Sequence, residues 1–458
     1  MNFTLANKLV HKYEMLFDKM SFKISGIKYT YLFFVVYKLL LDVIYCNCIG
    51  DKNAFLYISI TKVNIIVGWL ITFVMAYFFQ YYYEQNTPSA IILIVFNLFY
   101  FIPITTYCGY GGGSSSFLFF ATLYWIVLTL LQMKVPLIVW STAKSQTEYS
   151  NYKARKMIVF ILTIFISVIS IYIWGKYSGF RVLLTIIDVY DIRNEAATYS
   201  VPLFLQYFIQ ITRILVPMLI LLALREKKIL TFLWLMFITL INFSYEGSKA
   251  VILFPIILIG GYIFYRKNLL RCILPGVIIL QVISILEQVC GKGLIVSLIF
   301  RRQGILLAKL SEDYYRFFIS HSTDLFRNSI MGKLGFNSIY SQEISKVIGN
   351  NYETQVVNCN NGLLADVWSG LGLIGLIVMP VILILCFRFF DFVAHRVDSR
   401  LVISLAIYYA IIFMNATWST VLLTHGFFIM CVLMVIFPKE NEKLCSPGNN
   451  KELSSESH

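Results

Sequence analysis

The chain has 458 residues, of which 59% are hydrophobic and only 14% charged, with a mean hydropathy of +0.74. A soluble domain keeps its charged share near a quarter, so this balance excludes an ordinary water-soluble fold and points to lipid as the solvent. The formal net charge of +14 does not argue for nucleic acid: the polybasic arms and aromatic-basic modules of such proteins are missing, and basic cytoplasmic loops alone raise the charge of a membrane protein.

In chain order, residues 1–28 come first, with Lys8, Lys12, Lys19 and Lys23 beside Leu9, Tyr13, Leu16, Phe17 and Met20 at helical spacing. This is the pattern of an amphipathic helix on an anionic inner leaflet, and it sets the N-terminus inside. The first apolar run has no small-residue cleavage site, so no removable signal peptide is expected. Twelve candidate spans follow: 29–48, 62–82, 89–107, 117–140, 157–175, 202–224, 229–245, 250–265, 271–287, 363–387, 401–416 and 418–437. Each approaches the roughly 20 apolar residues that a crossing helix needs. The short connections rich in Lys and Arg, among them Arg225-Glu226-Lys227-Lys228 and Arg388 to Arg400, then fall on the cytoplasmic side, as the positive-inside rule requires. The expected fold is an all-α polytopic membrane protein. One transmembrane domain, 29–437, carries about 12 transmembrane helices. Two long outer loops, 176–201 and 288–362, and a polar disordered tail, 438–458, complete it.

Several local patterns need a reading. Gly109-Tyr110-Gly111-Gly112-Gly113 lacks the Lys-Ser/Thr of a phosphate loop and reads as a flexible outer turn. Gly370 to Gly375 matches GxGxxG but opens a spanning helix with no strand before it, so close packing of small residues is the better explanation. The nine cysteines form no CxxC or His-Cys cluster, so no metal site is expected; Cys290 and Cys359 bracket the second loop and could bridge on an oxidising face or remain separate thiols.

Ionisable groups inside the membrane each need a partner or a function. Lys38 and Asp42 lie one turn apart and can pair. Gln206, Gln210 and Arg213 form a polar stripe on the sixth span, as the lining of a wet cavity would. Glu246 and Lys249 flank a short outer turn; they can pair, or Lys249 can hold a phosphate. Asp191, Arg193 and Glu195 stand in the first long loop.

The second loop carries the densest chemistry. Leu306, Leu310, Tyr314 and Phe317 share one face of a helix over 301–318, and Arg302, Lys309 and Arg316 recur every seven residues on another. That predicts a helix lying on the outer leaflet. Its basic face is either simply solvated or a clamp for an anionic lipid-linked group, since guanidinium forks match phosphate oxygens.

Three stretches resemble one family. They are Tyr245-Glu246-Gly247-Ser248-Lys249, then Arg301-Arg302 followed by Asp313-Tyr314-Tyr315-Arg316-Phe317-Phe318, and Asn358-Cys359-Asn360-Asn361-Gly362 leading through Asp366 to Gly370–Gly375. Together with the layout they resemble the bacterial O-antigen, or oligosaccharide repeat-unit, polymerases. The resemblance implies a glycosyltransferase of the bacterial inner membrane with both termini cytoplasmic. It would transfer a growing glycan from polyprenyl pyrophosphate to a new lipid-linked repeat unit on the periplasmic face. Neither a metal nor another cofactor is implied; a separate chain-length regulator is. Residues carried over or placed alongside for pyrophosphate binding are Arg193, Arg213, Lys249, Arg301, Arg302 and Arg316. Tyr314, Tyr315, Asn360, Asn361 and Asp366 would contact sugar, although the pattern expects Thr where Asn361 stands. Candidate bases are His321, Glu195 and Asp324, of which the histidine has the best-suited ordinary pKa. The alternatives are an O-antigen ligase, which shares the architecture, and a lipid-linked oligosaccharide flippase or other transporter. Matching halves, as many transporters show, are not evident here.

Overall fold

The computed structural model describes residues 27–52, 55–85, 87–137, 148–182, 192, 195–196, 198–247, 249–264, 269–352, 358–395 and 397–436. The expected N-terminal surface helix, the C-terminal tail, Arg193 and the side chain of Lys249 lie outside what is described. The described residues are almost wholly helical, and nine of their helices are long and apolar enough to cross a membrane. This is an all-α polytopic membrane protein. The expected spans 250–265, 271–287 and 401–416 correspond to apolar helices, Lys249–Phe264, Leu269–Val289 and Ser399–Asn415, that are not among those nine. The chain divides into two compact units: residues 1–136, 266–388 and 409–420, and residues 137–265, 389–408 and 421–458.

The first unit is built around one enclosed helix. α1 (Ile27–Ile44) and α2 (Lys62–Gln85) pack beside a long rod made of α3 (Pro88–Phe96), a wide π turn at Asn97–Phe101, and α4 (Ile102–Tyr110). Thr87 caps α3 through its side chain, and Pro88 sits at the first turn, where a missing N–H costs nothing. Nearly every residue of the rod is buried, because its sequence is apolar on all sides. α5 (Ser115–Lys134), capped by Ser114, and α10 (Leu269–Val289) complete the surround. The pair foreseen in the first span forms: Lys38 Nζ lies 2.7 Å from Asp42 Oδ1, and Thr106 Oγ1 joins both.

The second unit is a bundle of α6 (Glu148–Ser178), α7 (Leu203–Arg225), α8 (Ile229–Glu246) and α9 (Lys249–Phe264). α8 stops at Gly247, whose left-handed backbone (φ 60°) caps it.

The expected outer loop 288–362 is ordered for most of its length. It holds a π-helical turn at Val296–Ile305, α11 (Leu306–Phe318), α12 (Ile330–Lys333) and α13 (Ile344–Tyr352). The last spans are broken. α14 (Leu364–Asp366) passes through a π turn at Val367–Leu371 and a 3-10 turn at Gly372–Ile374 into α15 (Gly375–Ala394). α16 (Ser399–Asn415), α17 (Trp418–Leu423) and α18 (Phe427–Ile436) follow.

Candidate functional site

α11 is a buried strut. Eleven of its thirteen residues are buried, against α4, the 97–101 turn and α14. The expectation of a helix lying on the outer leaflet therefore fails, and its basic stripe is interrupted in the middle: Arg302 and Arg316 are exposed, Lys309 is not. Lys309 is buried and bonds to Asp313 at 2.7 Å. The π turn at Val296–Ile305 precedes the strut, and i→i+5 bonding rotates each residue less than an α-helix does.

Glu312 is the deepest charge of the strut, 0% exposed, and the sequence reading did not single it out. Its Oε1 accepts from the Ser114 N–H at 2.7 Å and from Arg316 Nε at 3.0 Å and Nη2 at 2.9 Å. Arg316 thus serves Glu312, although its side chain remains 43% exposed. The i,i+4 spacing of Lys309–Asp313 and Glu312–Arg316 was the available signal for both pairs. The glycine stretch below is not a flexible turn. Ser59 bridges Gly111, and Asn64 Nδ2 donates to Cys108 O and Gly113 O at 3.0 Å each. A Cβ on Gly113 would stand 2.8 Å from Cys108 Sγ and 3.1 Å from Glu312 Oε2.

A second polar seam crosses the middle of the strut. Tyr100 Oη lies 2.7 Å from Ser311 Oγ; Asn361 Nδ2 donates to Ser311 Oγ at 3.0 Å and Leu307 O at 3.1 Å; and Asn361 Oδ1 accepts from the Gly362 N–H. Asp366 Oδ2 accepts from the Trp418 N–H at 2.8 Å. Tyr314 donates to Cys359 O at 3.1 Å, and burial raises its phenol pKa. Tyr315 packs among Phe117, Phe120 and Trp368. Of the five expected sugar contacts, Asn360 is exposed and the other four are buried and engaged in packing or hydrogen bonds.

The basic residues divide by their partners. Arg213 is matched by Glu246 at 2.8 Å, and Gln206 of the same stripe donates to Val201 O at 2.8 Å. Arg301 and Arg302 have no carboxylate partner among the described residues. Arg301 Nη2 donates to Ser297 Oγ at 3.0 Å, its Nε has no hydrogen-bond partner, and Arg302 is exposed. The neighbouring Gln303 receives the Asn415 amide at 2.8 Å.

The three candidate bases differ sharply. Asp324 is buried; its oxygens accept from Ser338 Oγ at 2.6 Å and the Asn328 N–H, and its own N–H donates to Ser369 O. Both carboxylate oxygens are thus engaged in bracing the loop. Glu195 is held by Arg181 at 2.7 Å and Tyr199 Oη at 2.6 Å; these bonds, the tyrosine's first, lower its pKa and make it a weaker base. His321 stacks on Phe317 with 4.0 Å between ring centroids, and its Nδ1 lies 2.9 Å from Phe317 O. Ser320 Oγ lies 3.0 Å from the same nitrogen. The helical rise separates His321 from Arg302 by roughly 25 Å, so the two do not share one reacting centre. Cys290 is exposed and Cys359 buried, and no disulfide joins them. Among the described residues no three His, Cys, Asp or Glu side chains converge as a metal site needs.

No protein-family model, curated protein or solved structure matches this chain.

Proposed function

We propose that the protein is a membrane glycosyltransferase of the oligosaccharide repeat-unit polymerase type, with its reacting centre at the Arg301–Arg302 end of the strut. The observation that carries the reading is the contrast among the cations: Lys309, Arg316 and Arg213 each face a carboxylate, whereas Arg301 and Arg302 face none among the described residues. A buried or half-buried guanidinium without a counter-ion favours an anionic ligand.

In the reaction, an acceptor hydroxyl oxygen bonds to the donor's anomeric carbon. The bond from that carbon to pyrophosphate breaks, its electron pair leaves with the pyrophosphate, and the hydroxyl proton is released. Negative charge grows on the leaving group, and fixed donors aimed there usually supply the largest share of catalysis. The expected substrates are two polyprenyl-pyrophosphate-linked oligosaccharides on the outer face of a bacterial inner membrane, with a separate protein setting chain length. The resemblance of the quoted motifs supports this substrate class.

Reconstitution tests it. Purified protein in liposomes bearing a polyprenyl-pyrophosphate-linked repeat should build a ladder of longer carrier-bound chains. Arg301→Ala and Arg302→Ala should each slow this by about 100-fold or more, the loss typical of a removed charge-stabilising donor. Arg302→Lys should rescue poorly, because a point charge does not replace the fork. His321→Gln should stay within about threefold, since it stands outside the centre. Normal ladders from the Arg301/Arg302 double variant would end the proposal, as would transport of the substrate without lengthening.

A further inference from the structure

The second unit contains a cavity of about 490 Å³ between α6, α7 and α8, within the size range of small-molecule sites. Its walls are apolar: Phe160, Ile164, Val168, Leu219, Leu222 and Ala223 line it. The apolar surface continues outward, with Phe160 64% exposed, Val168 61% and Leu230 85%. All three helices are of membrane-crossing length, so these rims face hydrocarbon rather than water. One end is charged. Lys156 and Lys228 reach the cavity there with a single acid, Glu226, which pairs with Lys156 at 2.9 Å. Lys228 is exposed and leaves that mouth with a net positive charge. Trp234 stands farther in, its indole N–H donating to Ser167 Oγ at 2.8 Å.

We infer that this groove binds one anionic phospholipid of the surrounding bilayer, an acyl chain between α6 and α8 and the phosphate at Lys156 and Lys228. Three features fit that occupant together. The slot is apolar along its length, it opens sideways toward lipid, and the cations sit where a spanning helix meets the headgroup layer. A neutral lipid leaves Lys228 uncompensated, and a water-soluble anion leaves the apolar walls empty. The inference is independent of the proposed glycosyl transfer, and a failure of either leaves the other standing.

The probe is dibrominated lipid, whose bromine atoms quench a tryptophan that they touch. Full-length protein is placed in nanodiscs of zwitterionic phosphatidylcholine with a rising fraction of brominated phosphatidylglycerol. The signal is the part of the quenching that disappears in Trp234→Phe, which separates this indole from the chain's other six tryptophans. That part should saturate at a mole fraction about fivefold lower for brominated phosphatidylglycerol than for brominated phosphatidylcholine. Lys228→Glu should erase the difference. Ala223→Phe, which fills the slot, should remove the Trp234-dependent quenching for both lipids, with folding checked by unchanged elution in detergent. Equal quenching by the two lipids would overturn the inference. So would its absence, or its full displacement by an equal fraction of polyprenyl phosphate, which would make the carrier the occupant.

Discussion

A buried carboxylate and a half-exposed guanidinium lose different things when they are parted. Arg316→Ala strands Glu312 where no water reaches it, whereas Glu312→Ala leaves an arginine that can turn to solvent. The arginine variant should therefore be the less stable: about 3–5 kcal/mol lost against about 2–3 kcal/mol, read as the order of their melting temperatures in detergent. Gly362→Ala belongs to the same scale. A Cβ there would run into Phe413 O and stand 2.5 Å from Ala416 O, so main chain must move; we expect a loss of about 1–3 kcal/mol, visible as a lower melting temperature. Glu195 sets the acid response. Its folded pKa is depressed, so its contribution is complete above the ordinary glutamate pKa and disappears as pH falls through the folded value. Amide exchange near Tyr199 should rise below about pH 4 in the wild type and show no such step in Glu195→Gln. The effect stays below about 1 kcal/mol because the pair is exposed.

At the scale of the element, the sequence carried the α-helices well and their defects poorly. Apolar length marked the helices, and Ser114 and Thr87 could be read as caps. A π turn leaves no such mark, because the same residues can bond i→i+4 or i→i+5 and tertiary packing decides between them. The strut looked like a surface helix because its seven-residue basic spacing was real and two of those residues are exposed, while its other faces are buried against α4, the 97–101 turn and α14. The burial of Glu312 was hidden because, beside the local Arg316, its other partner Ser114 lies some two hundred residues away in the chain. Deleting one residue within Val296–Ile305 would let that turn relax to α-helical bonding and rotate α11 by about 100°. Lys309 and Glu312 would leave their partners, and the protein should lose its monodisperse peak in size-exclusion chromatography. A deletion in the exposed 334–337 segment should leave that peak in place.

For the whole molecule, composition alone settled the class, because no water-soluble core absorbs so many apolar residues. The count of spans was less legible: hydropathy marks a buried short helix and a crossing helix alike, and three of the twelve runs are not among the nine candidate crossing helices of the described residues. Topology remains open to direct measurement. Thiol-labelling at single engineered cysteines should find residues 228 and 395 accessible from the cytoplasm and residues 302 and 340 from outside. A cytoplasmic residue 302 would remove the ground for an outer glycan site. The enclosed rod of α3 and α4 has a consequence of another kind. With 94% of its Pro88–Tyr110 window shut away from every solvent, it offers selection almost no neutral substitutions. As lineages diverge, this interval should drift slowest for reasons of fit alone, so invariance there would be a poor guide to chemistry.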